Sequence, residues 1–512
     1  MREERKKKDV KRGRKETALF FEVLRKDPVL KAACALVKDS PHRKALFLVG
    51  GVVRNLVLKK ALPRDYDFVF AGDIKDLSFR LADSVGGTSF LLDKKTPSYR
   101  VAAALDDTPR TVDVSPVKSG DIGEDLASRD FTVNAMAVDV VGLFEAAVPT
   151  IIDPTGGMDD CVRKILRMTS ADVFSEDPLR CLRAVRIALE YGLEMTPETR
   201  ERIRKNAPLV RTGKTSPERI RDELLLVFAS PGTARAIEDL YRLNLMEAIC
   251  PELAGWADVK GYDLLAHSLK TLEEAESFLE GVRTGLCPFH PAELKGHFHR
   301  KTGAVGRDVV FKLAAFLHDA GKPSAMTTEE GRARFIGHDR EGSLIVSGMM
   351  KRLKLSRRVT SEVTNLVRNH HRVFTLASLE KPSPRARAHL LRASEAGGGG
   401  GGRGGVGGGD TGAGVDLLIL ALVDARATRG GEDPELLKLV REMLEFYYGV
   451  YSKKRPKPLL NGNEIMDAFG ITEGRLVGEI MERVSEGIEK GLIKNKREAI
   501  SCIRKWLSEK NT

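Results

Sequence analysis

The sequence predicts an α+β protein in which a strand-bearing head precedes a remainder built from helices. Between about residues 45 and 140, short β-branched or aromatic runs (ALFLV, FVF, TVDV) are broken by Gly, Pro and Asp and alternate with helical stretches such as VVRNLVLKK. From residue 170 onward strand signals nearly vanish, and segments such as PLRCLRAVRIALEYG and PERIRDELLLVFA carry apolar residues at helical spacing.

The elements divide into a basic arm and leading helix (1–40), the head (41–168), a helical neck (169–255), a second helical domain (256–452) and a C-terminal tail (453–512). The arm, MREERKKKDVKRGRK, is predominantly basic and suits a polyanionic partner, as does the net charge of +12. It lacks the apolar segment of a secretory signal, and Glu3, Glu4 and Asp9 do not suit a transit peptide, so a cytoplasmic address is expected. No apolar run is long enough to cross a bilayer, so a membrane protein is not expected. Cys34, Cys161, Cys181, Cys250, Cys287 and Cys502 show no CxxC spacing and read as reduced structural residues. The stretch GGGGGGRGGVGGG at 397–409 predicts a flexible insert, and KKRPKP at 453–458 a linker.

Chemistry enters with LPRDYDFVF, residues 62–70. Side chains at i and i+2 of a strand share a face, with Cα atoms roughly 6.6 Å apart, so Asp65 and Asp67 can converge on one point. Two such carboxylates repel unless a cation or strong donors lie between them, and oxygen ligands suit Mg²⁺ together with substrate phosphates. Upstream, ALFLVGGVVRN reads as strand, Gly50-Gly51 turn and helix. Backbone N–H groups at that helix start suit a triphosphate, and Arg54 one turn on can add a charge-assisted contact. Asp113, in TVDVSP, is a candidate third carboxylate on a neighbouring strand, as base or outer ligand.

GGVVRN followed by DYDF resembles the signature of class II template-independent nucleotidyltransferases, which include CCA-adding tRNA nucleotidyltransferases and bacterial poly(A) polymerases. SRDFTVNAMA (128–137), EDPLRCLRAVRIA (176–188) and SPERIRDEL (216–224) are similar to three further blocks of that family, in the same order. Asn55 and Ser128 depart from the Asp and Arg found in the family, which leaves open how Arg54 is oriented. The resemblance implies a mixed-sheet catalytic head, then helical neck, body and tail. It implies two metal ions at Asp65 and Asp67, which would activate the RNA 3′-hydroxyl and neutralise charge on the α-phosphate and pyrophosphate. It further implies CTP and ATP as substrates, a tRNA or other RNA 3′ end as partner, and Asp177 and Arg180 as an amino-acid template for the incoming base. Asp177 before Pro178 also reads as a helix cap. Arg183 and Arg186 continue a basic ridge from Arg180, and Arg129, Asp130 and Asn134 are carried over as nucleotide-site residues.

KLAAFLHDAGKP (312–323) is an apolar helix ending in His318-Asp319. With His267 upstream and His338, His370 and Asp424 downstream, it follows the spacing of HD-superfamily phosphohydrolases, which implies a second divalent-metal site and phosphoester hydrolysis. The segment LLNGNEIMDAFGI…IKNKREAI resembles the C-terminal region of tRNA-directed members and suits RNA backbone contact. Poly(A) addition, and a chain that is primarily an HD phosphohydrolase, are the alternatives.

Overall fold

The computed structural model describes residues 21–510, apart from 396–411, 453–458 and interruptions of one to three residues elsewhere. The basic arm up to residue 20, the glycine-rich insert and the KKRPKP linker therefore lie outside the described residues. The chain forms two compact units, residues 1–230 with 238–251, and residues 231–237 with 252–512.

After helical residues 21–26, the first unit continues with the helix Pro28–Val37, capped by Asp27, which accepts from the Val29 and Leu30 amides. A seven-stranded sheet follows: β1 (Leu46–Val49), β2 (Asp65–Phe70), β3 (Thr88–Asp93), β4 (Ser98–Leu105), β5 (Thr108–Pro116), β6 (Ala137–Asp139) and β7 (Ile151–Ile152). Their spatial order is β3-β4-β5-β2-β1-β6-β7. Only β2 and β5 pair in parallel, the other neighbours being antiparallel, so the sheet is mixed as expected. In β2 the period of two sends Tyr66 and Phe68 into the core and Asp65 and Asp67 to the solvent-facing side. Behind the strand, the Tyr66 hydroxyl donates to Asp27 Oδ2 at 2.8 Å and Arg110 pairs with the same carboxylate, tying the strand to the leading helix.

The neck is helical, with Leu179–Tyr191, Pro197–Val210 and Pro217–Ala229 as its principal helices. The latter two start with proline at the first turn, capped by Thr196 and Ser216, whose side chains accept backbone N–H bonds. The second unit gathers the helices Leu264–Thr284, Arg307–Leu317, His338–Arg352, Arg357–Asn369 and Ala413–Arg429. The last is buried from Ala413 to Val423 and supplies the core on all sides. The tail helices Gly462–Phe469, Arg475–Glu489 and Lys496–Lys510 close around Ile465, Val477, Ile480 and Ile503. Beyond residue 170 the chain is not wholly helical: Glu194–Met195 pairs with Ile165–Leu166, Lys301–Thr302 with Val305–Gly306, and Thr327–Glu329 with Arg332–Arg334. Strands of two or three residues carry too little of a period to be read from sequence.

Candidate nucleotidyl-transfer and metal centres

In the head, register places three carboxylates together. Asp67 lies opposite Asp113 in the parallel β2–β5 pair, and Asp65 lies opposite Thr111, whose hydroxyl donates to it. Asp67 faces Val49 on the other side, so the Gly50-Gly51 turn that follows β1 arrives directly over it. Gly50 has φ +72°, and a Cβ there would stand 3.1 Å from Asp67 Oδ2 and 3.6 Å from Arg129 Nη1. Glycine is thus required both by the backbone and by the space above the carboxylate. The helix Gly51–Leu58 starts at this point, with its first N–H groups free of side-chain capping. Crowding by protein atoms raises the Asp67 pKa from its ordinary value; Arg129 and Arg183 pull it down, while Asp113 and Asp65 push it up. An oxygen-only pair of this kind fits a hard divalent cation between its members. Asp113 is not free: Arg100 grips it with two bonds of 2.7 Å each.

The other nucleotide-site candidates form a connected network. Arg54 donates to Asn134 Oδ1 and to the Tyr191 hydroxyl, each at 2.5 Å. Asn134 in turn donates to Asp130 Oδ1 at 2.9 Å, and Arg183 reaches Asp130 Oδ2 at 3.1 Å. Arg129 is held by Asp125. Asp177 accepts from the Leu179 amide at 3.2 Å, the cap read from sequence, and also from Arg219 at 2.7 Å. Arg180 turns to Glu176 and the Val173 carbonyl, and Arg186 to Glu223 and Glu190. The arginines therefore do not form one ridge: a spacing of three residues drifts about 60° per step on a 3.6-residue helix, which separates their partners. Sequence reasoning missed Arg100, Asp125 and Tyr191, which carry no motif of their own. Arg219 lay within a recognised block without an assigned role.

The second unit brings together all six predicted HD residues. Nε2 of His267 lies 3.3 Å from that of His318, 3.2 Å from Asp319 Oδ2 and 3.3 Å from Asp424 Oδ1. On the other side of the same carboxylate, His338 and His370 approach Asp319 Oδ1 at 3.2 and 3.6 Å. His371, which the sequence pattern does not single out beside His370, adds its Nε2 at 3.2 Å from that of His338. Lys322 contacts Asp319 Oδ2 at 2.6 Å. Nδ1 of His318, His338 and His370 each bonds a backbone carbonyl, of Ala315, Phe335 and Val367. A carbonyl only accepts, so Nδ1 carries the proton and Nε2 is left to ligate. Burial opposes charge on His318, but Asp319 and Asp424 outweigh it and raise its pKa to about 10. Mixed imidazole and carboxylate donors fit a transition metal.

A carboxylate pair beneath a glycine turn on a mixed sheet, followed by a helical unit with a His/Asp centre, defines a metal-dependent nucleotidyltransferase with an HD-type body. Residues 46–167 match the family model described as the Poly A polymerase head domain, 192–256 that described as a probable RNA and SrmB-binding site of polymerase A, and 264–395 the HD domain. The chain is 30% identical over 477 residues to the A-adding tRNA nucleotidyltransferase of Deinococcus radiodurans, covering 92% of this chain and 97% of that one. It is 28% identical to the CC-adding tRNA nucleotidyltransferase of Thermus thermophilus, covering 90% and 94%. The solved CCA-adding enzyme of Bacillus stearothermophilus in complex with CTP shares the fold, with a TM-score of 0.54, 20% identity and coverage of 95% and 100%. The chain belongs to the tRNA nucleotidyltransferase and poly(A) polymerase family. Among the described residues no helix is long and apolar enough to cross a membrane.

Proposed function

We propose that this chain extends tRNA 3′ ends in the cytoplasm, adding all or part of CCA from CTP and ATP. The observation that carries this reading is the placing of Asp65, Asp67 and Asp113 on one face of adjacent strands beneath Gly50-Gly51. The Gly51–Leu58 helix start and Arg54 receive the triphosphate, while Arg129 offers positive charge beside Asp67. Mg²⁺ held by Asp65 and Asp67 would supply neutralisation of the α-phosphate and activation of the RNA 3′-hydroxyl. That oxygen attacks the α-phosphorus, the α–β phosphoanhydride bond breaks, and pyrophosphate departs. Asp113, oriented by Arg100, completes the carboxylate face, and Asp177 with Arg180 presents acceptor and donor groups to the base. Similarity along nearly the whole length of tRNA-specific relatives favours tRNA over poly(A) addition.

The test incubates purified protein and Mg²⁺ with tRNAs ending before CCA, after C and after CC, and with an unstructured oligonucleotide. CTP and ATP are supplied separately and together, and Asp65→Ala/Asp67→Ala is the control. Stepwise addition stopping at CCA, at CC or after a single A supports the reading and assigns its range. Long A-tails on the unstructured RNA would replace it with poly(A) polymerase activity. A second reading is favoured by the His/Asp centre: metal-dependent phosphoester hydrolysis in the helical unit, lost in His318→Ala/Asp319→Ala.

A further inference from the structure

We infer that Phe90, on the edge strand β3, stacks on the base of the RNA 3′-terminal nucleotide and so holds the attacking hydroxyl toward the carboxylates. The inference rests on the proposal that the head adds nucleotides to RNA, and it names a contact for the acceptor end. Register puts Phe90 opposite Arg100, Arg100 opposite Asp113 and Asp113 opposite Asp67. Directly paired residues send their side chains to the same face, so the ring, the guanidinium and the two carboxylates form one row across β3, β4, β5 and β2. At about 4.8 Å per strand, Phe90 stands about 10 Å from Asp113 along that row, a gap that a ribose and its base can bridge.

The two ends of this row differ. Beyond Asp67 the face continues to Val49 and Ala137, where Leu126 of the helix Ile122–Ala127 packs over it in a cluster with Phe47 and Val69. Toward β3 the same face is open: Phe90 is 48% exposed, and Arg100 is partly exposed. The helix Ile74–Val85 lies against the opposite face, where Phe79 meets Tyr99 edge-on at 6.2 Å. A sheet with one solvated face ordinarily alternates apolar-in and polar-out, so an aromatic ring on the open face is not what folding alone asks for. Arg100 is committed to Asp113 through two bonds, which leaves the ring as the neighbouring surface for a ligand.

The geometry of the reaction selects that ligand. The Gly50-Gly51 turn and the helix start that receive the triphosphate lie on the β1 side of Asp67. Attacking and leaving oxygens stand roughly in line through the α-phosphorus, so the hydroxyl arrives from the other side, over β5 and β4. A nucleotide whose 3′-oxygen sits there can extend its base toward β3. Without a template strand that base is unpaired, and an aromatic side chain stacks on an unpaired base of any identity. Such tolerance suits an acceptor end whose terminal base changes as nucleotides are added.

The experiment measures kcat/KM of the full chain for whichever of the tRNAs ending before CCA, after C or after CC it extends, and for the same RNA with an abasic 3′-terminal nucleotide. CTP, ATP and Mg²⁺ are saturating. Removing the base, or Phe90→Ala on the intact RNA, should each lower kcat/KM by about tenfold, the scale of one base–aromatic stack. The two changes together should cost no more than either alone, and Phe90→Trp should restore the intact RNA. KM for the nucleotide should not change. Leu91→Ala, at an exposed apolar position of the same strand that faces the other way, should match wild type. Phe90→Ala without effect on the intact RNA would overturn the contact. The same loss on intact and abasic RNA would also overturn it, making Phe90 a support of the edge strand, or a contact between copies if the oligomeric state changes as well. Extension of none of the RNAs by the unmutated chain would instead overturn the reading of nucleotide addition beneath it.

Discussion

The guanidinium of Arg54 lies over the ring of Tyr191, its central carbon 3.9 Å from the ring centroid, and also donates to the Tyr191 hydroxyl. Tyr191 ends the neck helix Leu179–Tyr191, so a head arginine is oriented by the neck. This answers what Asn55 leaves open. Asn55 directs its amide to the Ala61 carbonyl at 2.7 Å and comes only within 3.4 Å of Arg54, whereas Tyr191 and Asn134 hold the guanidinium. Tyr191→Leu removes both the cation–π contact and a hydrogen bond, together about 1–2 kcal/mol. The expected outcome is a KM for nucleotide raised about tenfold with a smaller change in kcat, and an intermediate effect for Tyr191→Phe, which keeps the ring. Steady-state addition kinetics decide this; an unchanged KM for the leucine variant would remove Tyr191 from the site.

Gly50 permits the approach of the turn to Asp67. Alanine there must adopt φ +72° and place a methyl 3.1 Å from Asp67 Oδ2, so either the turn or the carboxylate moves. A displacement of about 1 Å at reacting groups can cost about a hundredfold in rate. Gly50→Ala should therefore lower single-turnover addition by about that factor, with the backbone strain adding about 1–3 kcal/mol of destabilisation. A rate within a few fold of wild type would show that the space over Asp67 is not needed.

Much of this was legible because the chemistry lies in short contiguous blocks. The strand DYDF, the glycine turn and the HD pair each keep their residues within a few positions of one another, and local periodicity sets which face they share. The partners that orient them come from distant positions: Arg100 for Asp113 across a hairpin, Asp125 for Arg129 a helical turn back, and Arg219 for Asp177 from another helix. Spacing cannot encode such pairings when neither partner has a motif. His371 escaped for a different reason, since adjacent residues of a helix usually point apart, but here the chain turns between the helices Arg357–Asn369 and Arg372–Ala377.

Arg219 is the most exposed of these partners and the easiest to remove without disturbing the core. It holds Asp177 at 2.7 Å and so fixes the direction in which the remaining lone pairs of that carboxylate point. In Arg219→Ala the side chain is no longer oriented, and a bond to a charged group, about 1.5–3 kcal/mol, is lost. Discrimination of CTP and ATP against UTP and GTP is expected to fall by about tenfold or more, measured as ratios of kcat/KM on a tRNA lacking its terminus. Unaltered ratios would confine Arg219 to a structural tie.

The second unit also contains a buried charged network outside the metal centre. His297 meets Asp416 at 2.7 Å, and Arg307 joins Asp416 at 2.5 Å and Glu362 at 3.6 Å. Burial lowers the His297 pKa from 6.5, with Arg307 and Arg300 adding to the effect and Asp416 opposing it. In the folded chain the ring stays neutral where an unfolded chain would already bind a proton. Below the unfolded value the unfolded state therefore holds more protons, and stability falls as pH drops. The contribution is complete above pH 6.5 and is lost toward the lower folded pKa, at up to about 1.4 kcal/mol per pH unit. Chemical unfolding of the second unit from pH 8 to 5, with manganese saturating, should show this slope in wild type and a shallower one in His297→Gln, which cannot titrate. Equal slopes in the two proteins would mean that His297 takes up its proton as readily folded as unfolded.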